Sequence, residues 1–173
     1  KTLASIEGMF ALMLWDKKKK EIFLSRDIYG EKPLFYYCEN DSLIFSSELK
    51  CIKRFLRTNL KIDEESSKLY SCLGYIPAPL TIYKKVFKVI PGELVTIKDG
   101  IVRNKEKFFD FTKVKTDLIS TKEDIFYKTD RLIDESVKKM MIADVEIGSF
   151  LSGGVDSSLT TAIMQKYSRK KIK

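Results

Sequence analysis

Near the C-terminal end of the chain, a short and mostly apolar segment, Glu146 to Leu151, runs into Ser152-Gly153-Gly154-Val155-Asp156-Ser157-Ser158. A stretch of helical composition follows to Tyr167, with Leu159, Ala162, Ile163 and Met164 placed to face a sheet. The pattern is strand, glycine turn, helix. It constrains the fold more than any other feature, because a turn of this kind belongs in an open α/β sheet.

The same turn suits an anion. A helix that begins directly after it presents unpaired N–H groups and the positive end of its dipole, which attract a phosphate. Gly153 and Gly154 carry no Cβ to block a close approach, and the hydroxyls of Ser152, Ser157 and Ser158 add donors around the concavity. Asp156 cannot itself attract a phosphate. Its carboxylate either caps the helix or holds a magnesium ion that screens the phosphates. No Gly-Lys-Ser or Gly-Lys-Thr is present, which excludes the ordinary P-loop. A bare two-glycine turn would be a strand-to-helix connection and nothing more; the complete string carries the ligand reading.

At 173 residues and 44% hydrophobic, the chain can bury a core. An open sheet around the turn needs further strands and helices after it, yet only Thr160 to Lys173 follow, so we expect a segment of a longer protein. Lys plus Arg number 32 against 24 Asp plus Glu, a net charge of +8. Part of that excess, Lys17 to Lys20, falls between two apolar runs and reads as a solvated turn; another part is Arg169, Lys170, Lys171 and Lys173. No RNA-binding signature accompanies them, so nucleic-acid binding is the weaker reading of this charge. Cys38, Cys51 and Cys72 show no Cys-x-x-Cys spacing, which argues against a disulfide framework and fits a reduced, cytoplasmic setting with each cysteine as core filler. The absence of histidine removes imidazole bases and the commonest zinc sites from this stretch. No apolar run approaches the ~20 residues of a membrane span.

Along the chain, Phe10 to Trp15 and Glu21 to Ser25 read as a β-hairpin with at least one strand covered on both faces. Arg26 to Pro33 is a loop, in which Arg26 and Asp27 read as an ion pair or loop clamp rather than a catalytic pair. Leu34 to Cys38 and Leu43 to Ser46 are strands around Asn40-Asp41, and Ser47 to Lys50 opens a short helix. Asp63 to Leu73 is helical and ends at Gly74; Val86 to Lys98 and Ile101 to Phe109 are extended pieces around the Asp99-Gly100 turn. Thr121 to Asp124 resembles a capping box before a long amphipathic helix carrying Ile125, Leu132, Ile133, Val137, Met140 and Met141, with the methionines expected in the core.

Several of these stretches carry a resemblance. Ser152 to Ser158 resembles the pyrophosphate-binding loop of the ATP pyrophosphatase superfamily, whose members activate a carboxylate or carbonyl as an adenylate and release pyrophosphate. Gly8-Met9-Phe10-Ala11, Arg26-Asp27-Ile28-Tyr29-Gly30-Glu31-Lys32-Pro33-Leu34-Phe35-Tyr36 and Phe45-Ser46-Ser47-Glu48-Leu49-Lys50 are similar, in this order, to the second half of the glutaminase domain of glutamine-hydrolysing asparagine synthetases. Gly74 to Pro79 matches that family too, whereas Ile90-Pro91-Gly92-Glu93 stands where the family often has Pro-Pro-Gly-His. The resemblance covers nearly the whole chain.

The resemblance implies an α/β fold with an α+β N-terminal part. Residues 1–111 would be the C-terminal part of an αββα glutaminase sandwich of the N-terminal-nucleophile type, 112–121 a linker, and 122–173 the first strand, loop and helix of an adenine-nucleotide α-hydrolase-like parallel-sheet domain. It further implies an ATP-dependent ligase that forms β-aspartyl-AMP and amidates it with ammonia from glutamine. Leu151, Ser152, Gly153, Gly154, Val155, Asp156, Ser157 and Ser158 would hold ATP, with Asp156 on Mg2+ through the nucleotide. The small-molecule partners would be ATP, aspartate and glutamine or ammonia, and a homodimer of the longer protein is compatible with it. The family's glutaminase nucleophile is the first residue of the mature protein, a cysteine. Lys1, Cys38, Cys51 and Cys72 do not stand at that position, so no catalytic residue is assigned to this stretch. The alternatives are a β-lactam synthetase type of adenylating ligase that lacks the nucleophile, and an inactive basic binding module.

Overall fold

The computed structural model describes residues 2–39, 41–57, 60–114 and 121–173, in two compact units, 1–114 and 115–173. In the first unit the apolar run forms Ala11–Asp16 (β1), which returns as Glu21–Arg26 (β2). Asp16 Oδ1 accepts the N–H groups of Lys18 at 2.9 Å and Lys19 at 3.0 Å, and Lys20 takes a φ of 54°. This aspartate-anchored turn leaves all four lysines in water, as their charge requires. Phe35–Glu39 (β3) and Ser42–Ser46 (β4) make a second hairpin, followed by the helices Leu49–Leu56 (α1) and Glu64–Leu73 (α2). Asp63 caps α2 by accepting the Ser66 N–H at 2.9 Å, and Gly74 stops it in the left-handed conformation at φ 75°.

The expected extended piece Val86 to Lys98 is two strands, not one: Val86–Lys88 (β5) and Glu93–Lys98 (β6). Pro91 has no N–H for a ladder and Gly92 takes φ 70°, so the chain turns between them and enters a different sheet. Ile101–Lys107 (β7) completes the set. One antiparallel sheet has the order β1-β2-β6-β7 and the other β4-β3-β5.

The core lies between these sheets. Leu24 from β2, Val95 and Ile97 from β6, Leu34 and Tyr36 from the β3 side, and Val89 are at most 5% exposed and form one cluster. Residues at i and i+2 of each strand supply it, as the pleat requires. Ile52 of α1 is wholly buried as well. β2 is covered on both faces, since Leu24 and its neighbour Ser25 are both fully buried. The apolar run of β1 is not: Met13, Leu14 and Trp15 are 43%, 59% and 44% exposed, because β1 is the edge strand of its sheet. Ile97→Val, which removes one methylene from the middle of this core, is expected to cost about 1 kcal/mol. A denaturant midpoint unchanged from wild type would place Ile97 outside the load of the sandwich.

In the second unit Thr121 accepts the Asp124 N–H at 3.1 Å and starts the helix Lys122–Met140 (α3); Val155–Tyr167 forms α4. Asp134 of α3 receives Lys166 Nζ at 2.8 Å and the Tyr167 hydroxyl, while Lys138 Nζ stands 5.2 Å above the Tyr167 ring. The two hydrogen bonds, that from Lys166 foremost, hold the Asp134 carboxyl below its ordinary pKa. No described residue of α3 is buried, and Met140 is 52% exposed, which corrects the expectation of core methionines. Among the described elements of the unit α3 packs against α4, and one neighbour covers only part of an apolar stripe. On α4, Met164 is buried, but Leu159 and Ala162 face solvent. The expected linker 112–121 falls mostly on residues 115–120, outside the described residues. Among the described residues no helix is long and apolar enough to cross a membrane.

Candidate functional site

The segment Glu146 to Leu151 does not form the strand its composition predicts. A strand is assigned from a ladder of hydrogen bonds, and this segment has a single backbone bond of that kind, from Ser149 N–H to Lys173 O at 2.8 Å. The bond nonetheless has the sense of a strand, a helix and a returning neighbour, because α4 lies between its two ends.

The chain then turns at Gly153 with φ 85°, in the left-handed region where only glycine is unstrained, and Gly154 is the N-cap of α4 at φ −76°. A Cβ on Gly153 would meet nothing within 4 Å, so the glycine serves conformation rather than space. No side chain caps α4. Its first intrahelical bond runs from Ser158 N–H to Gly154 O at 3.1 Å, which leaves the N–H groups of Val155, Asp156 and Ser157 at the open end of the helix. Asp156 sits in the first turn without capping it, so of its two expected uses the cap is not adopted. Leu151, Val155 and Phe150 are 62%, 84% and 100% exposed, and Ser152 to Asp156 all face solvent. Ser157 is half-buried, and Ser158, two residues beyond Asp156, is exposed.

Hydroxyl groups brace the turn. Ser152 Oγ lies 3.1 Å from Ser157 Oγ, and Ser157 Oγ donates to Gly154 O at 3.1 Å. Ser149 Oγ lies 2.8 Å from Thr161 Oγ1, which donates to Ser157 O at 2.7 Å. Ser149 and Thr161 were not singled out from the sequence. The signal was the i, i+4 spacing of Ser157 and Thr161, which lets a helical threonine reach the carbonyl one turn back. A groove lined by Met141, Val145, Ile147 and the run Tyr167 to Lys173 is in the same unit, but contains no residue of the turn. Among the described residues no three His, Cys, Asp or Glu side chains converge on a metal position.

In the first unit the Arg26-Asp27 pair is the loop clamp that the sequence suggests. Asp27 is 1% exposed. Its Oδ1 accepts the N–H groups of Tyr29 at 3.1 Å and Glu31 at 3.0 Å, and Oδ2 accepts those of Lys32 at 3.0 Å and Phe10 at 3.4 Å. Burial alone would push the carboxyl up, but the four donors outweigh it and hold it below the ordinary aspartate value. Arg26 donates to three carbonyls, those of Lys32 at 2.7 Å, Val89 at 3.2 Å and Gly30. Gly30 is at φ 68°, and a Cβ there would stand 2.7 Å from Pro91 Cγ and 2.9 Å from Arg26 Nη2. Every polar atom of the pair is occupied by backbone, which leaves it no proton chemistry to perform. The cysteines correct another expectation: Cys51 and Cys72 are exposed, and only Cys38 is half-buried, where burial pushes its thiol up. Cys51 and Cys72 lie on outward faces of α1 and α2, helices that each bury a single residue.

Comparison with known proteins follows the same division of the chain. The profile of the glutamine amidotransferase domain family matches residues 1–109, and that of asparagine synthase matches residues 128–173. A putative glutamine-hydrolysing asparagine synthetase 2 of Methanocaldococcus jannaschii is 38% identical over 162 residues, covering 92% of this chain and 31% of the relative. Glutamine-hydrolysing asparagine synthetase 1 of Bacillus subtilis is 36% identical over 166 residues, 95% of this chain and 26% of the relative. Amidase chry2 of Gibberella zeae is 30% identical over 159 residues, 90% of this chain and 23% of the relative. The chain thus spans about a third or less of the length of these curated relatives. Through the match over its first 109 residues the chain belongs to the glutamine amidotransferase domain family, and residues 128–173 behind it are similar to asparagine synthase.

Proposed function

We propose that this chain is part of a cytoplasmic enzyme that activates aspartate with ATP and amidates it with ammonia drawn from glutamine. The observation that carries the reading is the uncapped N-terminus of α4 behind a left-handed Gly153, set in the stretch that matches asparagine synthase. Three free N–H groups and the hydroxyls of Ser152, Ser157 and Ser158 would receive the pyrophosphate portion of ATP, with Leu151 at the nucleotide side of the turn.

In the adenylation, an oxygen of the aspartate side-chain carboxylate bonds to the α-phosphorus of ATP while the bond from that phosphorus to the bridging oxygen breaks. Pyrophosphate leaves with the electron pair. With pyrophosphate at the turn, its donors would face the oxygens on which charge accumulates and so would favour the transition state over the ground state. Ammonia then attacks the activated carbonyl carbon, AMP departs, and the nitrogen gives up a proton to yield the amide. The exposed Asp156 carboxylate on the first turn of α4 fits a Mg2+ ion held mainly by the nucleotide; the ion would neutralise phosphate charge. Residues 1–111 are read as glutaminase domain, 112–121 as linker and 122–173 as the start of the synthetase domain. Within this stretch no residue is assigned to glutamine hydrolysis.

The test is ATP–pyrophosphate exchange by the full-length gene product. Exchange that requires aspartate and Mg2+, with asparagine formed when glutamine is added, is the expected result. The 173-residue chain alone is expected to make no asparagine. Exchange driven by another carboxylate but not by aspartate would replace the substrate assignment.

A further inference from the structure

The carbonyls that Thr161 and Ser157 reach set the sense of the hydroxyl bonds around the turn. A threonine hydroxyl has one proton, and that of Thr161 is committed to the Ser157 carbonyl at 2.7 Å. The 2.8 Å contact between Ser149 and Thr161 is therefore a donation from Ser149 Oγ to Thr161 Oγ1. By the same count, without nucleotide Ser157 gives its proton to Gly154 O and Ser152 donates to Ser157, two exposed bonds that would be exchanged for phosphate oxygens on binding. Two relays result. One ties Ser149, three residues before Ser152, to the second turn of α4, and the other ties the glycine turn itself to the first.

The first relay joins the segment leading into the turn to α4 itself, whereas the ion pairs of Glu146 reach Lys170 and Lys173, beyond that helix. The segment leading into the turn lacks a strand ladder, and its one backbone bond of that kind is to Lys173. The Ser149–Thr161 bond closes a twelve-residue separation between two half-buried side chains, and fixes where the turn departs relative to the helix that receives it. Phe150 and Leu151, which lie between, are exposed and provide no packing in its place. Resting on the reading of Ser152–Ser158 as a pyrophosphate loop, we propose that Ser149 and Thr161 are positioning residues for it. They hold the turn with the open N–H groups of Val155 to Ser157 already converged, so that less ordering accompanies nucleotide binding. Neither side chain touches the nucleotide. Both act through the backbone that does.

The experiment compares Thr161→Val, Thr161→Ser, Ser149→Ala and the Ser149→Ala/Thr161→Val double variant in the full-length protein. Thr161→Val keeps the shape and removes the relay; Thr161→Ser keeps the hydroxyl. The valine and alanine variants are each expected to raise KM for ATP in aspartate-dependent pyrophosphate exchange about five- to tenfold, the scale of one hydrogen bond. For both, kcat should change less than about twofold and Tm should hold within about 2 °C. The serine variant should match wild type, and the double variant should be no worse than Thr161→Val, because Thr161→Val already removes the one bond that Ser149→Ala deletes. An unchanged KM for Thr161→Val, or additive losses in the double variant, would overturn the proposal. If wild type shows no exchange with aspartate, the proposed function fails on its own, and amide hydrogen exchange at 150–158 without nucleotide still judges the relay. Faster exchange in Thr161→Val and Ser149→Ala but not in Thr161→Ser is then the expected result, and equal rates in all four proteins overturn it.

Discussion

Asp27→Asn is expected to lower the stability of the first unit by about 3–5 kcal/mol, a fall in Tm on the order of 15 °C. The carboxylate accepts four backbone N–H groups from Phe10, Tyr29, Glu31 and Lys32. An asparagine in the same place offers one oxygen and one NH2, so two of the donors would face another donor. At 1% exposure water cannot replace them. The loop also anchors its surroundings: the Asp27 carbonyl accepts the N–H groups of Gly30 and Gly92, both at 3.1 Å, and Gly92 is where the chain changes sheets. Loss of the clamp therefore loosens the sandwich as well as the loop.

The pH dependence follows from the depressed pKa of this carboxyl. The ionised group is favoured in the folded protein over the unfolded chain, so its stabilisation is complete above the unfolded aspartate value of about 3.9. As pH falls below that value and through the lower folded value, the stabilisation disappears. Wild type should lose stability in that acid window, and Asp27→Asn, weaker at neutral pH, should show a flatter acid limb. Parallel denaturation curves from pH 7 down to pH 3 would show that the carboxylate contributes no charge-dependent stability.

Gly153→Ala is expected to act on activity instead of stability. No atom lies within 4 Å of the added methyl group, so the fold tolerates it. The backbone does not: φ 85° is strained for alanine by about 1–3 kcal/mol, and the turn relieves that strain by rotating out of the left-handed region. Rotation there redirects the entry into α4 and with it the N–H groups of Val155 and Asp156. Loss of aligned donors on a departing oxyanion costs about 10²–10³ in rate, so kcat/KM for ATP in the full-length protein should fall by that factor. Tm should move by less than about 3 °C. An alanine variant with wild-type exchange kinetics would remove the turn from the reaction.

Much of the first unit was legible in the chain because its cues are local. Asp16 before four lysines makes its own turn, Asp63 caps the helix that follows it, and Gly74 ends that helix; each works within four residues. The glycine turn before α4 was legible for the same reason, since φ 85° at Gly153 and a helix starting at Val155 need nothing distant. The role of Arg26 and Asp27 was legible as a clamp, though not its partners, because Phe10, Val89 and Gly92 come from remote parts of the chain.

Other features were decided by tertiary structure alone. Val86 to Lys98 reads as one extended run, and only the pairing of β5 with β3 and of β6 with β2 divides it between two sheets. Glu146 to Leu151 has strand composition but one backbone bond to Lys173, and a strand exists only where a neighbour completes its ladder. Met140, Leu159, Cys51 and Cys72 have apolar character and exposed positions, since periodicity names a face but not what covers it. The sequence by itself determined turns, caps and the anion-ready helix end, because these depend on residues in contact along the chain. The tertiary structure decided sheet membership, burial and the Ser149–Thr161 tie, because those depend on which distant groups arrive.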